Sequence, residues 1–260
     1  MPIDCSAIII TKNEAHQLRH CLESVAFCRE IIIVDSGSTD GTVELASQAG
    51  CITVVTKDWP GFGAQKQRAL ERASSRWILS IDADEVVSDG LRQRVESIVS
   101  GDGATGNCAY NIRRTNLFLG RELKHGGWGD DYVVRLALRA NCHFTPDRVH
   151  ERLSVNGSIG TIAEPIVPDA RATLKDVLEK QTRYVLIGLG SIPSRGGRPR
   201  ICIPLSSACM TFLTYYVLRL GFLDGALGFY AAASRAQGKF WKKSRLAPVS
   251  RQTRSSCESE

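Results

Sequence analysis

The hydrophobic pattern of the first part of the chain is a series of short apolar runs, each followed by a helical repeat. Residues 3–10 are largely apolar, as in a strand buried on both faces, and the run ends at Thr11-Lys12-Asn13-Glu14. Leu18, Leu22 and Val25 then recur at helical spacing. Residues 30–34 form a second apolar run, which ends at Asp35-Ser36-Gly37-Ser38-Thr39-Asp40-Gly41. A short helix over 43–49, a strand over 51–56 and an amphipathic helix over 62–73 follow. They lead into Trp77-Ile-Leu-Ser-Ile81, which stops abruptly at Asp82-Ala83-Asp84-Glu85. Strand and helix thus alternate four times by residue 85, the signature of an α/β unit with a parallel sheet.

Ligands of such sheets bind outside the carboxyl ends of the strands. Thr11, Asp35, Asp82 and Asp84 all fall at such ends. If the strand stays extended, alternation turns Asp82 and Asp84 the same way. Two carboxylates so placed repel each other unless a cation or a donor-rich ligand lies between them. A hard divalent ion carrying a diphosphate meets that need. Asp40 and Asp89 are each placed to cap a following helix. Asp35 has no such structural task, and a carboxylate there suits an N–H of a nucleobase. A dinucleotide-binding enzyme would share this alternation, but its Gly-x-Gly-x-x-Gly should follow the first strand. That place holds Thr-Lys-Asn-Glu-Ala-His16, without a glycine, so the dinucleotide reading fails.

Composition changes the picture in two respects. With 260 residues, 43% hydrophobic and 23% charged, the chain suits one large domain, or one domain with an appendage. Nine cysteines, an odd number without a Cys-x-x-Cys pair, read as reduced thiols of a cytosolic protein. Asp4 and Lys12 flank the first apolar run, which argues against a signal peptide. The charge is uneven. Residues 1–170 hold 18 Lys/Arg against 22 Asp/Glu, a net −4, whereas residues 171–260 hold 15 against 5, a net +10. The boundary near 170 separates the α/β domain, residues 1–170, from a basic, amphipathic helical extension over 171–247 and a polar, disordered tail over 248–260. Within the extension, residues 174–189 repeat apolar positions at helical spacing, and 191–200 form a basic linker. Residues 201–218 carry no charge, yet Pro204 and several Ser/Thr make them a poor span. A helix lying in a membrane interface, or docked on the domain, fits better. Residues 222–245 mix aromatic and basic side chains, which suits an anionic membrane surface or a phosphorylated, lipid-linked acceptor. Nucleic acid is not expected, because no recognition-helix or RNA-binding signature accompanies the charge.

Thr11-Lys-Asn-Glu14, Ile33-Val-Asp-Ser-Gly-Ser-Thr-Asp40, Asp58-Trp-Pro-Gly-Phe-Gly-Ala-Gln-Lys66 and Leu79-Ser-Ile-Asp-Ala-Asp-Glu85 resemble the inverting family 2 glycosyltransferases of GT-A fold. With His125-Gly-Gly-Trp128, Arg148-Val-His-Glu151 and Arg219-Leu-Gly-Phe-Leu-Asp-Gly225, the chain looks more narrowly like the bacterial lipopolysaccharide inner-core β-1,4-glucosyltransferases. The resemblance runs over residues 5–245. It implies a mostly parallel, Rossmann-like sheet flanked by helices, with a C-terminal helical, membrane-associating extension.

The site residues follow from the same resemblance. Thr11, Glu14 and Asp35 would line a uridine pocket, with Asp35 on the base. Lys66 would approach the phosphates, Asp82 the ribose or metal, and Asp84 would hold Mg²⁺ or Mn²⁺. Asp131, after Gly-Gly-Trp, is the expected catalytic base, and Glu151 its rival. Trp128 would offer a platform for a sugar ring on a flexible glycine segment, and His150 would position diphosphate or acceptor. Two positions depart from the family pattern: Asp130 stands where proline is expected, and Pro168 where a histidine near the metal is frequent. The implied reaction moves glucose from a UDP-sugar to a heptose of the lipopolysaccharide core, by an enzyme attached peripherally to the cytoplasmic face of the inner membrane. Transfer to a polyprenyl phosphate, or a non-catalytic nucleotide-sugar or membrane-binding protein, are the alternatives.

Overall fold

The computed structural model describes residues 1–101, 106–115, 117–118, 121–129, 131–146, 151–168 and 202–244. The expected helix at 174–189, the basic linker, the 248–260 tail, Asp130 and His150 lie outside the described residues. The chain divides into two compact units near residue 174.

The first unit follows the alternation of the sequence: β1 (Ile3–Thr11), α1 (Ala15–Ser24), β2 (Cys28–Asp35), α2 (Thr42–Gln48), β3 (Ile52–Val55), α3 (Phe62–Arg72) and β4 (Trp77–Ser80). After β5 (Glu85–Val87) and α4 (Asp89–Ser100) the chain becomes strand-rich, with β6 (Ala109–Arg114), β7 (Leu117–Phe118), β8 (Arg121–Glu122) and β9 (Asp131–Leu138). It continues through β10 (Cys142–Phe144) and β11 (Leu153–Val155) to β12 (Ile159–Pro168). Eight strands form one sheet in the order β3-β2-β1-β4-β9-β6-β12-β5. The first four are mutually parallel, β9 runs antiparallel to both β4 and β6, and β12 returns parallel to β6. This is the expected α/β class, with a sheet half parallel throughout and half mixed.

The apolar runs read as strands because they are buried on both sides. Ile9, Ile33 and Leu79 pack with Leu18 and Leu22 of α1 and Leu91 and Val95 of α4. Their neighbours Ile8, Ile32 and Ile78 pack with Ala69 and Leu70 of α3 on the other side. β1 and β4 therefore run through the middle of two apolar layers, and their carboxyl ends are fixed by the core beneath.

The extended geometry does not persist to Asp84. The Glu85 N–H donates to the Asp82 carbonyl at 3.0 Å, closing a turn directly after β4. Asp82 and Asp84 hence do not share a strand face, contrary to the alternation argument. Ser88 rather than Asp89 caps α4, its hydroxyl accepting the Leu91 N–H at 3.3 Å.

The second unit contains α5 (Cys202–Leu213), a π-turn over Thr214–Leu218, a 3₁₀ turn over Gly221–Asp224 and α6 (Gly225–Ser244). The rings of Phe212, Tyr216 and Phe229 stack at 5.2–5.7 Å and hold the two helices as a hairpin. A Cβ at Gly228 would lie 1.8 Å from the Gly221 carbonyl oxygen, so the close approach at the turn requires glycine. Among the described residues no helix is long and apolar enough to cross a membrane.

Candidate active site

The ends of β1 and β2 lie side by side, with Thr11 the ladder partner of Asp35. The Thr11 hydroxyl donates to Asp35 Oδ2 at 2.8 Å. The Gly37 and Ser38 N–H groups donate to Oδ1 at 2.9 and 2.8 Å, and the Ser38 hydroxyl to Oδ2 at 2.5 Å. Asp35 is fully buried. Its carboxylate thus closes its own loop, a structural task that the sequence reading did not assign to it. Further out the two loops are stitched pairwise. Lys12 Nζ donates to the Ser36 carbonyl at 3.0 Å, the Asn13 N–H to the Ser38 hydroxyl at 2.8 Å, and the Glu14 N–H to Thr42 Oγ1 at 3.0 Å. Asp40 accepts the Ala15 and Thr42 N–H groups, both at 3.1 Å, and so serves the first turns of α1 and α2 together. Partial burial pushes its carboxyl upward, but the hydrogen bonds from Thr42 and Ala15 outweigh that and hold it below the usual value. Gln65, buried on α3, ties in the third loop by donating to Ser36 Oγ at 3.0 Å and Thr56 Oγ1 at 2.7 Å.

Beside these loops lies a charged cluster. Lys66 of α3 reaches Asp82 Oδ1 at 3.0 Å and Glu151 Oε1 at 2.9 Å. Arg135 of β9 reaches Asp82 Oδ2 at 2.8 Å and Glu85 Oε1 at 3.0 Å, and Glu85 Oε2 accepts the Asp82 N–H at 3.0 Å. The Asp82 side chain is 31% exposed, whereas those of Lys66, Arg135 and Glu85 are below 10%. Burial alone would raise the Asp82 carboxyl, but Arg135 and Lys66 hold it well below the usual range. Glu85 is pushed up, by burial first and then by Asp82 and Asp84, in spite of Arg135. Burial pulls the Lys66 ammonium down, yet Asp82 and Glu151 reverse this and leave it raised. Arg135 is likewise raised by Asp82 and Glu85 against its burial.

The cluster holds two cations, Lys66 and Arg135, against the carboxylates of Asp82, Glu85 and Glu151, with half-buried Asp84 on the same turn. When all are ionised the acids are in excess, a balance that a divalent cation would offset. Among the described residues no group of three or more His, Cys, Asp or Glu is arranged to hold a metal. This donor set is oxygen only. It fits a hard ion that arrives with a diphosphate and uses one or two protein carboxylates, those of Asp84 and Asp82 on this turn.

β9 begins at Asp131, whose Oδ2 accepts Arg114 Nε at 2.9 Å and Nη2 at 2.5 Å. The preceding glycine segment is a built turn. Gly126 and Gly127 have φ of 64° and 72°, and the Trp128 N–H donates to the His125 carbonyl at 3.3 Å. A Cβ at Gly129 would stand 2.2 Å from the Lys124 carbonyl oxygen. The segment expected to be flexible thus requires glycine at three positions for geometry. Trp128 is half-buried beside this turn. The structure brings Lys66, Asp82 and Glu151 together and Thr11 with Asp35, while Asp131 is paired with Arg114. Arg135, Glu85 and Arg114 were missed by the sequence reading. Arg135 had a signal: one charge inside Val133-Val134-Arg135-Leu136-Ala137-Leu138 must be paired if the strand is buried.

Comparison with known proteins gives this arrangement a context. The family model described as glycosyl transferase family 2 matches residues 6–134. The chain is 31% identical over 238 residues to the lipopolysaccharide core biosynthesis glycosyltransferase LpsC of Rhizobium meliloti, covering 89% of this chain and 87% of LpsC. It is 42% identical over 109 residues to an uncharacterized glycosyltransferase of Rickettsia felis, a match that spans 38% of that protein. Among solved structures, glucosyl-3-phosphoglycerate synthase from Mycobacterium tuberculosis aligns with 68% of this chain and 75% of its own, at 18% identity and a TM-score of 0.46. S. aureus TarS aligns with 92% of this chain and 48% of its own, at 15% identity and a TM-score of 0.44. By its near full-length similarity to LpsC and its match to the family model, the chain belongs to glycosyl transferase family 2 and is a glycosyltransferase.

Proposed function

We propose that this glycosyltransferase moves a hexose, glucose foremost, from a UDP-sugar to a heptose of the lipopolysaccharide inner core, inverting the anomeric centre. The observation that carries the reading is the Lys66–Asp82–Arg135 cluster at the carboxyl edge of the parallel strands, in a chain aligned along most of its length with LpsC. Thr11, Glu14 and Asp35 form the uridine side of the site, with Asp35 shaping the loop that meets the base. Lys66 faces the diphosphate, and Asp82 is held by Lys66 and Arg135 at the ribose side. A divalent ion, Mg²⁺ or Mn²⁺, held by Asp84 with Asp82 beside it, supplies charge neutralisation at the diphosphate when bound.

In the transfer the acceptor oxygen bonds to the anomeric carbon, the bond from that carbon to the diphosphate oxygen breaks, and UDP leaves with the electron pair. The hydroxyl proton passes to a carboxylate. Asp131 is the base in this proposal, oriented by the Arg114 guanidinium. Glu151 is the second candidate, because it lies 2.9 Å from Lys66 and so next to the diphosphate side. Trp128 stacks on an acceptor sugar and His150 positions diphosphate or acceptor. The enzyme would act at the cytoplasmic face of the inner membrane, where a lipid-anchored acceptor is presented.

The test is UDP release from a panel of UDP-sugars with purified inner-core acceptor, in Mg²⁺, Mn²⁺ or EDTA, alongside Asp84→Ala. Acceptor-dependent release from one donor, lost in EDTA and in the variant, is the expected result. Release only with polyprenyl phosphate would replace the acceptor, and UDP binding without turnover on any acceptor would overturn the catalytic reading.

A further inference from the structure

The second unit carries a surface to which the proposed function assigns no residue. Of the eighteen large hydrophobic side chains exposed among the described residues, twelve lie between Ile203 and Trp241. They are not scattered. Ile203, Met210 and Leu213 recur at i, i+7 and i+10 on one face of α5. Leu218, Leu220, Phe222 and Leu223 crowd the turn between the helices, and Leu218 is 74% exposed. An exposed apolar surface of this extent marks an interaction site.

The polar groups beside it indicate the partner. Arg219 and Arg235 both lie over the ring of Tyr215, at 5.0 and 4.4 Å from its centroid. One aromatic ring thus holds two guanidinium groups near the hairpin turn, and guanidinium is the side chain suited to two-point contact with phosphate. Farther along α6, Lys239, Lys242 and Lys243 flank exposed Trp241. Asp224 is the one acid against five basic residues in 202–244. Two copies of such a surface would meet as like charges, which is unfavourable. An anionic lipid surface satisfies both parts, apolar side chains entering the acyl boundary and arginines meeting phosphates.

We propose that the α5–α6 hairpin is a monotopic anchor. It lies in the headgroup region of an anionic bilayer, with Leu218 and Leu223 inserted and Arg219 and Arg235 on lipid phosphates. The inference deepens the proposed function, since an enzyme acting on a lipid-anchored acceptor must work at a bilayer. Its test uses no donor or acceptor, so the two can fail separately.

The experiment is co-sedimentation of the full chain with vesicles of phosphatidylcholine alone or with phosphatidylglycerol added. The wild type is expected to bind the anionic vesicles and to bind the neutral ones more weakly. Arg219→Gln and Arg235→Gln should each weaken binding to the anionic vesicles about fivefold, with little effect on neutral ones. Leu218→Ser combined with Leu223→Ser should weaken both. An unchanged helical circular-dichroism signal and unfolding midpoint in all variants would exclude misfolding as the cause. No vesicle binding by the wild type, or equal binding by the arginine variants, would overturn the proposal. A concentration-dependent dimer abolished by the leucine substitutions, without vesicle binding, would assign the surface to a second copy and overturn it as well.

Discussion

Pro168 of β12 is the ladder partner of Glu85, the buried acid that receives Arg135. Directly opposed residues of an antiparallel pair carry their side chains on one face. The pyrrolidine ring therefore stands beside the acidic turn, at the position where the sequence resemblance leads one to expect histidine. A proline ring offers no lone pair to an ion, so among the described residues of this turn carboxylates are the side chains on offer. Pro168→His is expected to tighten Mn²⁺ binding in the absence of nucleotide, and to do so more for Mn²⁺ than for Mg²⁺, because imidazole suits the softer ion. Titration by calorimetry, or Mn²⁺ paramagnetic resonance, would show this. Unchanged Mn²⁺ affinity would mean that the side chain at 168 does not reach the ion.

Arg135 joins two carboxylates that come from one turn, and it does so from a strand that enters the sheet antiparallel. Arg135→Met keeps the bulk but leaves Asp82 and Glu85 without their shared cation. The expected cost is about 3–5 kcal/mol in urea unfolding, the scale of a buried pair broken on one side. Adding Glu85→Gln should return part of that loss, since Asp82 keeps Lys66 and the buried Glu85 charge disappears. A cost below about 1 kcal/mol would show that solvent replaces the arginine readily.

Lys66 separates Asp82 from Glu151, with one contact to each. Lys66→Met removes the ammonium that would face the diphosphate in the proposed site and lets the two carboxylates repel each other. If charge develops there in the transition state, kcat/KM should fall about 10²–10³-fold, as for loss of one preorganised donor. A rise in donor KM with kcat unchanged would instead assign Lys66 to ground-state binding.

The pH dependence of the stitched loops follows from Asp40. Its folded pKa lies below the usual value near 3.8, so its contribution to stability is present above that value and is lost as pH falls through the folded pKa. Asp40→Asn should therefore be less stable than wild type at neutral pH, and the two should converge below about pH 4. Amide exchange at Ala15 and Thr42 is the local readout, since these N–H groups donate to Asp40. A gap between the two proteins that stays constant with pH would remove the ionised carboxylate from the explanation.

The sequence made β1, β2 and β4 legible because strands buried on both faces read as unbroken apolar runs, as Ile8-Ile9-Ile10 and Ile31-Ile32-Ile33 show, whereas β3 is an edge strand with Ile52 and Val55 exposed. The turn at Asp82 was less legible, because it depends on Glu85 reaching back and on Arg135 arriving from 53 residues downstream. Which strand lies next to β4 is a matter of sheet order, and no local pattern announces it. Asp35 was misjudged for a different reason. Asp-Ser-Gly-Ser is also the pattern of a carboxylate that accepts the N–H groups two and three residues on, and Gly37 and Ser38 do donate there. The structural task written in these residues is local and needs no partner to be seen.

Asp131 and Glu151 are separated by what holds them. Asp131 is held by Arg114 alone among the described ion pairs, from the neighbouring strand, whereas Glu151 shares Lys66 with Asp82. A base must be ionised before transfer and must release its proton afterwards, so its partner should not also serve the leaving group. Lys66 does serve it in the proposed chemistry, which favours Asp131. Asp131→Asn is then expected to lower kcat about 10²–10⁴-fold and to abolish the acid limb of the pH–rate profile, while leaving donor binding intact. Glu151→Gln should retain the acid limb and change donor affinity, because its contact with Lys66 changes. Were the acid limb to vanish with Glu151→Gln and persist in Asp131→Asn, the roles would exchange, and the Arg114–Asp131 pair would be a strand-pairing contact.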